Sequence, residues 1–252
     1  MGTHRYTLLV LGGTSAIALA YVRARLKDLQ DEGYTVNVCL WARNEGRAEA
    51  EAKHLTALGA DVSHVICDLS QHADTAALLQ GLSSIDEAIL AYGVLTDQGL
   101  SQTDDDYLMT QLNANFTSAV IWLERLMRLF EEQGHGRAIV IGSVAGDRGR
   151  QSNYAYGATK AGLATFVTGL QHRYATYPDI YLHLVKPGFV KSPMTDHLDA
   201  DGLLWATPDQ VAQIICKRSK AGKLISYTPW FWYFVMLIIR NVPAALLHKT
   251  KL

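Results

Sequence analysis

Between residues 5 and 195 the chain alternates short apolar runs with longer, more polar stretches, six times without interruption. The runs are YTLLVL at 6–11, TVNVCLW at 35–41, VSHVIC at 62–67, IDEAILAY at 85–92, RAIVI at 137–141 and IYLHLV at 180–185. Runs of this length, rich in Val, Ile and Leu, are the pattern of parallel strands buried on both faces. The stretches between them predict helices over about 16–29, 45–58, 73–82 and 103–132, and one carrying residues 156 to about 177. Strands and helices in strict alternation, joined by right-handed crossovers, give an α/β fold with one doubly wound parallel sheet and helices on both faces. No linker, repeat or low-complexity tract interrupts the pattern, so residues 1–252 read as one domain, with 196–252 as a C-terminal extension that shapes the substrate side. Asn113 and Asn115 stand in the middle of the long predicted helix, where asparagine is a poor choice without a local reason.

Ligands of such sheets bind beyond the carboxyl ends of the strands. Gly12, Arg43, Asp68, Gly93, Ser143 and Pro187 each close one apolar run, so all six fall on that edge. Gly12-Gly13-Thr14-Ser15 leads from the first run into a helix beginning near Ala16 and Ile17, a layout that aims backbone N–H groups at a phosphate. The second run ends at Ala42-Arg43-Asn44, with no acidic residue to hold the 2′-hydroxyl of an adenosine ribose. An arginine there accommodates a 2′-phosphate, which favours NADPH over NAD.

Tyr156 and Lys160 stand four residues apart, on one face of the predicted helix. An ammonium beside a phenol favours the phenolate, so the tyrosine pKa is expected to fall below its ordinary value of about 10 and suit proton transfer near neutral pH. Ser143, thirteen residues before Tyr156, leaves the end of a strand and can hydrogen-bond the same reacting oxygen. Tyr154 competes locally, but the residue four positions on is Ala158.

Composition narrows the picture further. A net charge of −1 over 252 residues offers no global basic field for nucleic acid. The three cysteines, Cys39, Cys67 and Cys216, have neither metal-ligand spacing nor an even count, so no metal site or disulfide framework is expected and a reducing, cytoplasmic setting fits. The N-terminus enters a short strand directly, without a signal-peptide layout.

With these residues in place the chain resembles the short-chain dehydrogenase/reductase family over about residues 5–195, carried by the glycine turn, Asp68-Leu69, Asn115, Ser143, Tyr156-x-x-x-Lys160 and Pro187-Gly188. The resemblance implies a Rossmann-like single domain and hydride transfer with NAD(P). It also implies catalytic roles for Asn115, Ser143, Tyr156 and Lys160: Tyr156 as general acid, Lys160 holding the nicotinamide ribose, Ser143 positioning the carbonyl and Asn115 steadying a relay water. Cofactor contacts are implied for Gly12, Thr14, Ser15, Ala16, Ile17, Arg43, Asp68, Leu69, Ala91, Gly93, Tyr156, Lys160, Pro187, Gly188, Val190 and Ser192. Two positions depart from the family pattern. Ala16 and Ala18 replace its second and third turn glycines, and Ala91-Tyr92 replaces residues of its Asn-Asn-Ala-Gly.

A narrower resemblance, to the decaprenylphosphoryl-2-keto-erythro-pentose reductase branch, rests on Gly-Gly-Thr-Ser at 12–15, Asn115-x-Thr-x-Ala-Val, Ala145-Gly146-Asp147-Arg148, Tyr156-Gly157-x-Thr159-Lys160-Ala161-Gly162 and the tail. It implies a keto sugar on a polyprenyl phosphate as substrate. Arg148 and Arg150 are candidate contacts for its phosphodiester. After Pro229 the tail reads WFWYFVMLII, too short to span a bilayer. Clustered aromatics with Arg240, His248, Lys249 and Lys251 behind them suit a segment lying at an interface, making 229–247 a candidate contact with the inner face of the plasma membrane. The other reading of this segment is a contact between subunits of a homo-oligomer. Two further functions stay open: reduction of a small soluble ketone, and a non-catalytic cofactor sensor or scaffold on the same fold.

Overall fold

The computed structural model describes residues 4–71, 76–82, 84–196 and 202–250. Its centre is a seven-stranded parallel sheet built from β1 (Arg5–Leu11), β2 (Thr35–Ala42), β3 (Asp61–Ile66), β4 (Glu87–Leu90), β5 (Gly136–Ile141), β6 (Ile180–Pro187) and β9 (Ile225–Thr228), in the order β3-β2-β1-β4-β5-β6-β9. The order reverses between β1 and β4, which opens a crevice at the carboxyl ends of those two strands. The central strands are buried on both faces, and two hydrophobic clusters flank them: one around Trp122 and Phe130, the other around Tyr21 and Leu55.

Six strands match the apolar runs; the seventh, β9, was not expected from the sequence. It is an edge strand of four residues, ISYT, whose burial alternates. Helices α1 (Ala16–Asp31), α2 (Glu45–Ala57), α3 (Ala76–Gln80), α7 (Tyr154–Arg173) and α8 (Pro208–Lys220) form the crossovers. Part of the helix expected over 73–82 lies outside the described residues. The helix expected over 103–132 is divided into α4 (Leu100–Thr103), α5 (Asp105–Leu112), a π-helical turn (Asn113–Thr117) and α6 (Ser118–Gln133). In α6 Ala119, Trp122, Leu123, Leu126, Met127 and Phe130 recur at helical spacing and face the sheet, and Trp122 packs edge-on against Trp41 at 5.4 Å.

The C-terminal extension is tied to the carboxyl edge. β7 (Phe189–Val190) and β8 (Trp205–Ala206) pair as a two-stranded ribbon just beyond β6. Thr207 caps α8 through a reciprocal bond with Gln210, as the Thr-Pro-Asp start suggests. The aromatic segment folds as α9 (Trp232–Asn241), followed by α10 (Ala244–Leu247). Trp232 and Met236, one turn apart, are buried against Val144, while Trp230, Tyr233, Phe234 and Ile238 face outward. Among the described residues, no helix is long and apolar enough to cross a membrane.

Candidate active site

A cleft of about 670 Å³ opens along the carboxyl edge of the sheet. At one end it is walled by the turn from β1 to α1. Gly12 has φ +102°, and a Cβ there would meet the backbone of Ala91 and Tyr92 at 2.9–3.1 Å, so only glycine fits. Gly12 and Gly13 both donate to Trp41 O, at 3.1 and 2.8 Å, which locks the turn onto β2. Ser15 caps α1 and takes the Ala18 N–H at 3.5 Å. The N–H groups of Ala16 and Ile17 belong to the first turn, where a helix has no internal acceptor for them, and both residues line the cleft. This sixteen-residue helix thus presents its positive end to the cleft, which fits the pyrophosphate of a dinucleotide. Of the two alanines that depart from the family pattern, Ala18 is buried in the core and Ala16 borders the cleft.

Arg43, Asn44 and Arg47 follow the end of β2 along the same wall. Asn44 caps α2 by accepting the Arg47 N–H at 2.9 Å, which sets Arg47 in the first turn, one turn from Arg43. Arg47 donates to Thr14 O at 3.2 Å. Neither Asn44 nor Arg47 was singled out from the sequence, although an arginine four residues after Arg43 was a legible signal. Asp68 accepts both the N–H and the hydroxyl of Ser70, at 2.9 and 2.8 Å, and Leu69 packs beneath. Ala91 and Gly93 continue the floor; Tyr92 turns its hydroxyl away to Ser118 at 3.0 Å.

Across the cleft stand Ser143, Tyr156 and Lys160. Ser143 ends the turn after β5, before a 3-10 turn (Val144–Asp147), and its hydroxyl accepts the Ala145 N–H at 3.1 Å. Tyr156 and Lys160 project from the first two turns of α7. Gly146 lets the 3-10 turn lie directly on α7: a Cβ there would come within 2.6 Å of Lys160 C. Lys160 is buried and donates to Ile141 O at 3.4 Å. Gly93 sits opposite, where an added Cβ would lie 2.7 Å from Asn115 Oδ1 and 3.7 Å from Lys160 Nζ. Asn115 itself does not line the cleft. Buried in the π-helical turn, it accepts the Val94 N–H at 2.8 Å and donates to Val94 O at 2.9 Å, pinning the loop after β4.

One electrostatic expectation is reversed. Burial pushes the Tyr156 phenol up to about 12, opposed only by its hydrogen bond with Ser143. The Lys160 ammonium lies 5.7 Å from the centre of the Tyr156 ring, and burial lowers its own pKa to about 8. Desolvation therefore outweighs attraction in the protein alone. Tyr156 is protonated at neutral pH, as a proton donor must be.

Pro187, Gly188, Val190 and Ser192 border the cleft below this wall, next to Phe189 and Thr195. Thr195 Oγ1 donates to Val190 O at 2.6 Å and accepts the Ser192 N–H at 3.1 Å, which holds the segment in its bend. Trp232 of α9, also not foreseen, closes the cleft with its indole lying on Gly188. Arg150 lines the cleft; Arg148 does not. Its guanidinium is taken up by Arg240 O at 3.1 Å and Val242 O at 3.4 Å, so it staples the tail instead of facing a substrate. No group of three or more His, Cys, Asp or Glu among the described residues is placed to hold a metal ion.

A family model described as short chain dehydrogenase matches residues 6–202. The chain belongs to the short-chain dehydrogenase family. That membership makes it an NAD(P)-dependent oxidoreductase. It is 34% identical to an uncharacterized oxidoreductase of Streptomyces coelicolor over 247 residues, 96% of this chain and 95% of that protein. A 3-oxoacyl-[acyl-carrier-protein] reductase of Chlamydia pneumoniae is 27% identical over 82% of this chain and 86% of its own length. Among solved structures, a gluconate 5-dehydrogenase from Burkholderia cenocepacia in complex with NADP and tartrate superposes with a TM-score of 0.75 at 19% identity, covering 91% of this chain and 95% of that one. The F189W actinorhodin polyketide ketoreductase with NADPH gives 0.74 at 22%, covering 90% and 97%. These two likenesses bear on the fold.

Proposed function

We propose that this short-chain dehydrogenase reduces a ketone with NADPH, Tyr156 giving the proton to the carbonyl oxygen. The observation that carries the reading is one cleft with a dinucleotide-type wall, Gly12 to Ile17 with Arg43 and Arg47, facing Ser143, Tyr156 and Lys160. When bound, the dinucleotide supplies the hydride. Ser143 and Tyr156 hold the carbonyl oxygen, Lys160 supports the nicotinamide ribose and the charge of the phenol, and Asn115 keeps the loop after β4 in register behind Gly93. Arg43 and Arg47 favour a 2′-phosphate, hence NADPH over NAD.

The substrate within this reading is a keto sugar carried on a polyprenyl phosphate, with residues 196–252 shaping its side of the cleft. Support comes from the tail, whose α9 lends Trp232 to the cleft while the outer side of the segment stays apolar: Trp230, just before α9, is 69% exposed and Ile238 68%, with Tyr233 and Phe234 between them. Arg240 and Lys249 supply positive charge beyond it. A protein whose substrate keeps its tail in a bilayer gains by presenting such a face beside its cleft. The second reading, a small soluble ketone, is favoured by the same face if a second copy of the chain covers it.

Tyr156→Phe should lower NADPH oxidation with a ketone at least a thousandfold while leaving NADPH affinity within about twofold. Retained turnover would sink the assignment. In parallel, sedimentation with vesicles of phosphatidylglycerol and phosphatidylcholine separates the substrate readings: binding supports the lipid-linked sugar, and a monodisperse oligomer that ignores vesicles supports the soluble ketone.

A further inference from the structure

The turn that leads into α7 brings two polar side chains to the cleft. Asn153 N–H closes it on Arg150 O at 3.1 Å, and both residues line the cleft within two turns of Tyr156. Trp232 reaches the same space from α9. Arg150 Nε, Asn153 Oδ1 and Trp232 Nε1 are all cut off from the surface and have no hydrogen-bond partner among the described residues. Buried polar groups are nearly always satisfied, so three orphans around one cavity call for a ligand. Two are donors and one is an acceptor.

The arginine decides what kind of ligand. Water can satisfy an amide or an indole, but it does not neutralise a guanidinium. No acidic side chain among the described residues offsets Arg150; burial alone acts on it and weakens its hold on its proton. Asp147, three residues earlier, is fully engaged, by Lys186 Nζ at 2.6 Å and Tyr227 OH at 2.6 Å. The loop is also fixed at both ends, by Arg148 on the tail carbonyls and by Gln151 on Thr250 O at 3.3 Å. Arg150 is therefore held half-buried and unpaired in a cleft, which is costly unless an anion completes it.

We propose that Arg150 and the Trp232 indole N–H bind an oxoanion carried by the substrate, a phosphate ester or carboxylate, while Asn153 accepts a hydroxyl of the same molecule. The inference rests on the ketone-reductase reading and adds its substrate class: a hydroxylated oxo compound with an acidic group near the carbonyl. The anion belongs either to a soluble metabolite or to a lipid-linked headgroup, and the recognition chemistry is the same for both.

Two readouts test it. With the protein saturated in NADP⁺, inorganic phosphate should raise the melting temperature of wild type, the shift disappearing in Arg150→Met and partly returning in Arg150→Lys. In NADPH oxidation, the ratio of kcat/KM for dihydroxyacetone phosphate to that for dihydroxyacetone should fall at least tenfold in Arg150→Met. Equal phosphate shifts in all three proteins, or an unchanged ratio, overturn the subsite. Farnesyl phosphate in detergent competing more tightly than inorganic phosphate supports a lipid source of the anion; equal competition supports a soluble one. If neither ketone oxidises NADPH but the phosphate shift still depends on Arg150, the subsite stands and the reductase reading fails.

Discussion

Replacing Lys160 by methionine should stabilise the protein at neutral pH, measured without added dinucleotide. Lys160 is 5% exposed, and burial holds its pKa at about 8 against an ordinary 10.5. That depression corresponds to roughly 3 kcal/mol between the charged and neutral forms. Among the described residues the hydrogen bond lost is the long one to Ile141 O, at 3.4 Å, worth roughly 0.5–1 kcal/mol. Methionine keeps the length and apolar character of the stem, so the net gain at pH 7 should be about 2–3 kcal/mol.

The pH dependence follows from linkage. Below pH 8 lysine is protonated in both folded and unfolded chains, and the folded state bears the full cost of the buried charge. Between about 8 and 10.5 the unfolded chain holds the proton that the folded one has released, so wild type gains stability as pH rises, by up to ~1.4 kcal/mol per unit. Tyr156 acts in the opposite sense: its raised pKa of about 12 costs stability only above the ordinary tyrosine value of about 10. Cys39 and Cys67, raised by burial, titrate in both proteins and cancel in the comparison. Urea unfolding of wild type and variant from pH 6.5 to 9.5 should therefore show the variant's advantage shrinking above pH 8. A difference that stays flat across that range, or a variant less stable at pH 7, would refute the assignment of a depressed lysine.

At the other end of the cleft, Arg43→Ser and Arg47→Ser should each raise KM for NADPH about tenfold, equivalent to ~1.4 kcal/mol, with a much smaller effect on KM for NADH; equal effects on both dinucleotides would remove the 2′-phosphate from these arginines. Away from the cleft, Glu87 is fully buried at the start of β4 and gathers Tyr6 OH at 2.9 Å, Tyr21 OH, Arg25 Nε at 3.2 Å and Arg137 Nε at 3.6 Å. Glu87→Gln removes the buried counter-charge beside Arg25 and Arg137, leaving Arg25 only the longer contact with Glu32 at 4.0 Å, and should cost about 3–5 kcal/mol in urea unfolding, with Tyr6 and Tyr21 beginning to ionise at lower pH, as their pKa values are raised partly by Glu87.

How far the fold could be read depended on where its determinants lie. Strands β1, β2, β4, β5 and β6 are legible because they are largely buried on both faces, so their own residues carry the signal; the edge strand β3 is mostly exposed and shows only a short apolar run. The edge strand β9 alternates exposed and buried positions over four residues, two of them Ser and Thr, and is defined only by pairing with β6. The break in the long helix was foreshadowed by Asn113 and Asn115, but its π-helical form depends on Asn115 reaching both backbone groups of Val94, a contact no local pattern encodes. Ser143, Tyr156 and Lys160 could be placed on one wall from spacing. The direction of the Tyr156 shift could not, because it turns on burial. Arg148 and Arg150 are alike on paper; carbonyls of Arg240 and Val242, more than ninety residues on, turn one of them away from the cleft.

The C-terminal segment was the hardest to read because it is apolar on every side. Hydropathy alone offers no inward face in WFWYFVMLII, yet the structure buries Trp232 and Met236 and leaves Trp230, Phe234 and Ile238 outside. What selects Trp232 is a partner more than forty residues earlier. Gly188 has no positive φ to demand a glycine, but a Cβ there would overlap the Trp232 indole. Its role is close approach: it lets the indole lie on the backbone just past β6 and face the cleft with its N–H unpaired. The Pro187-Gly188 pair, first read as a cofactor border, thus also seats the tail. The stretch from Ser143 to Lys160 is seated by the same tail, through Arg148, Gln151 and the Val144–Met236 contact. The stretch carrying Tyr156 and the proposed oxoanion subsite are then held by one set of contacts, apart from the turn after β1, and a change in the tail's aromatic packing should alter substrate choice before it alters cofactor binding.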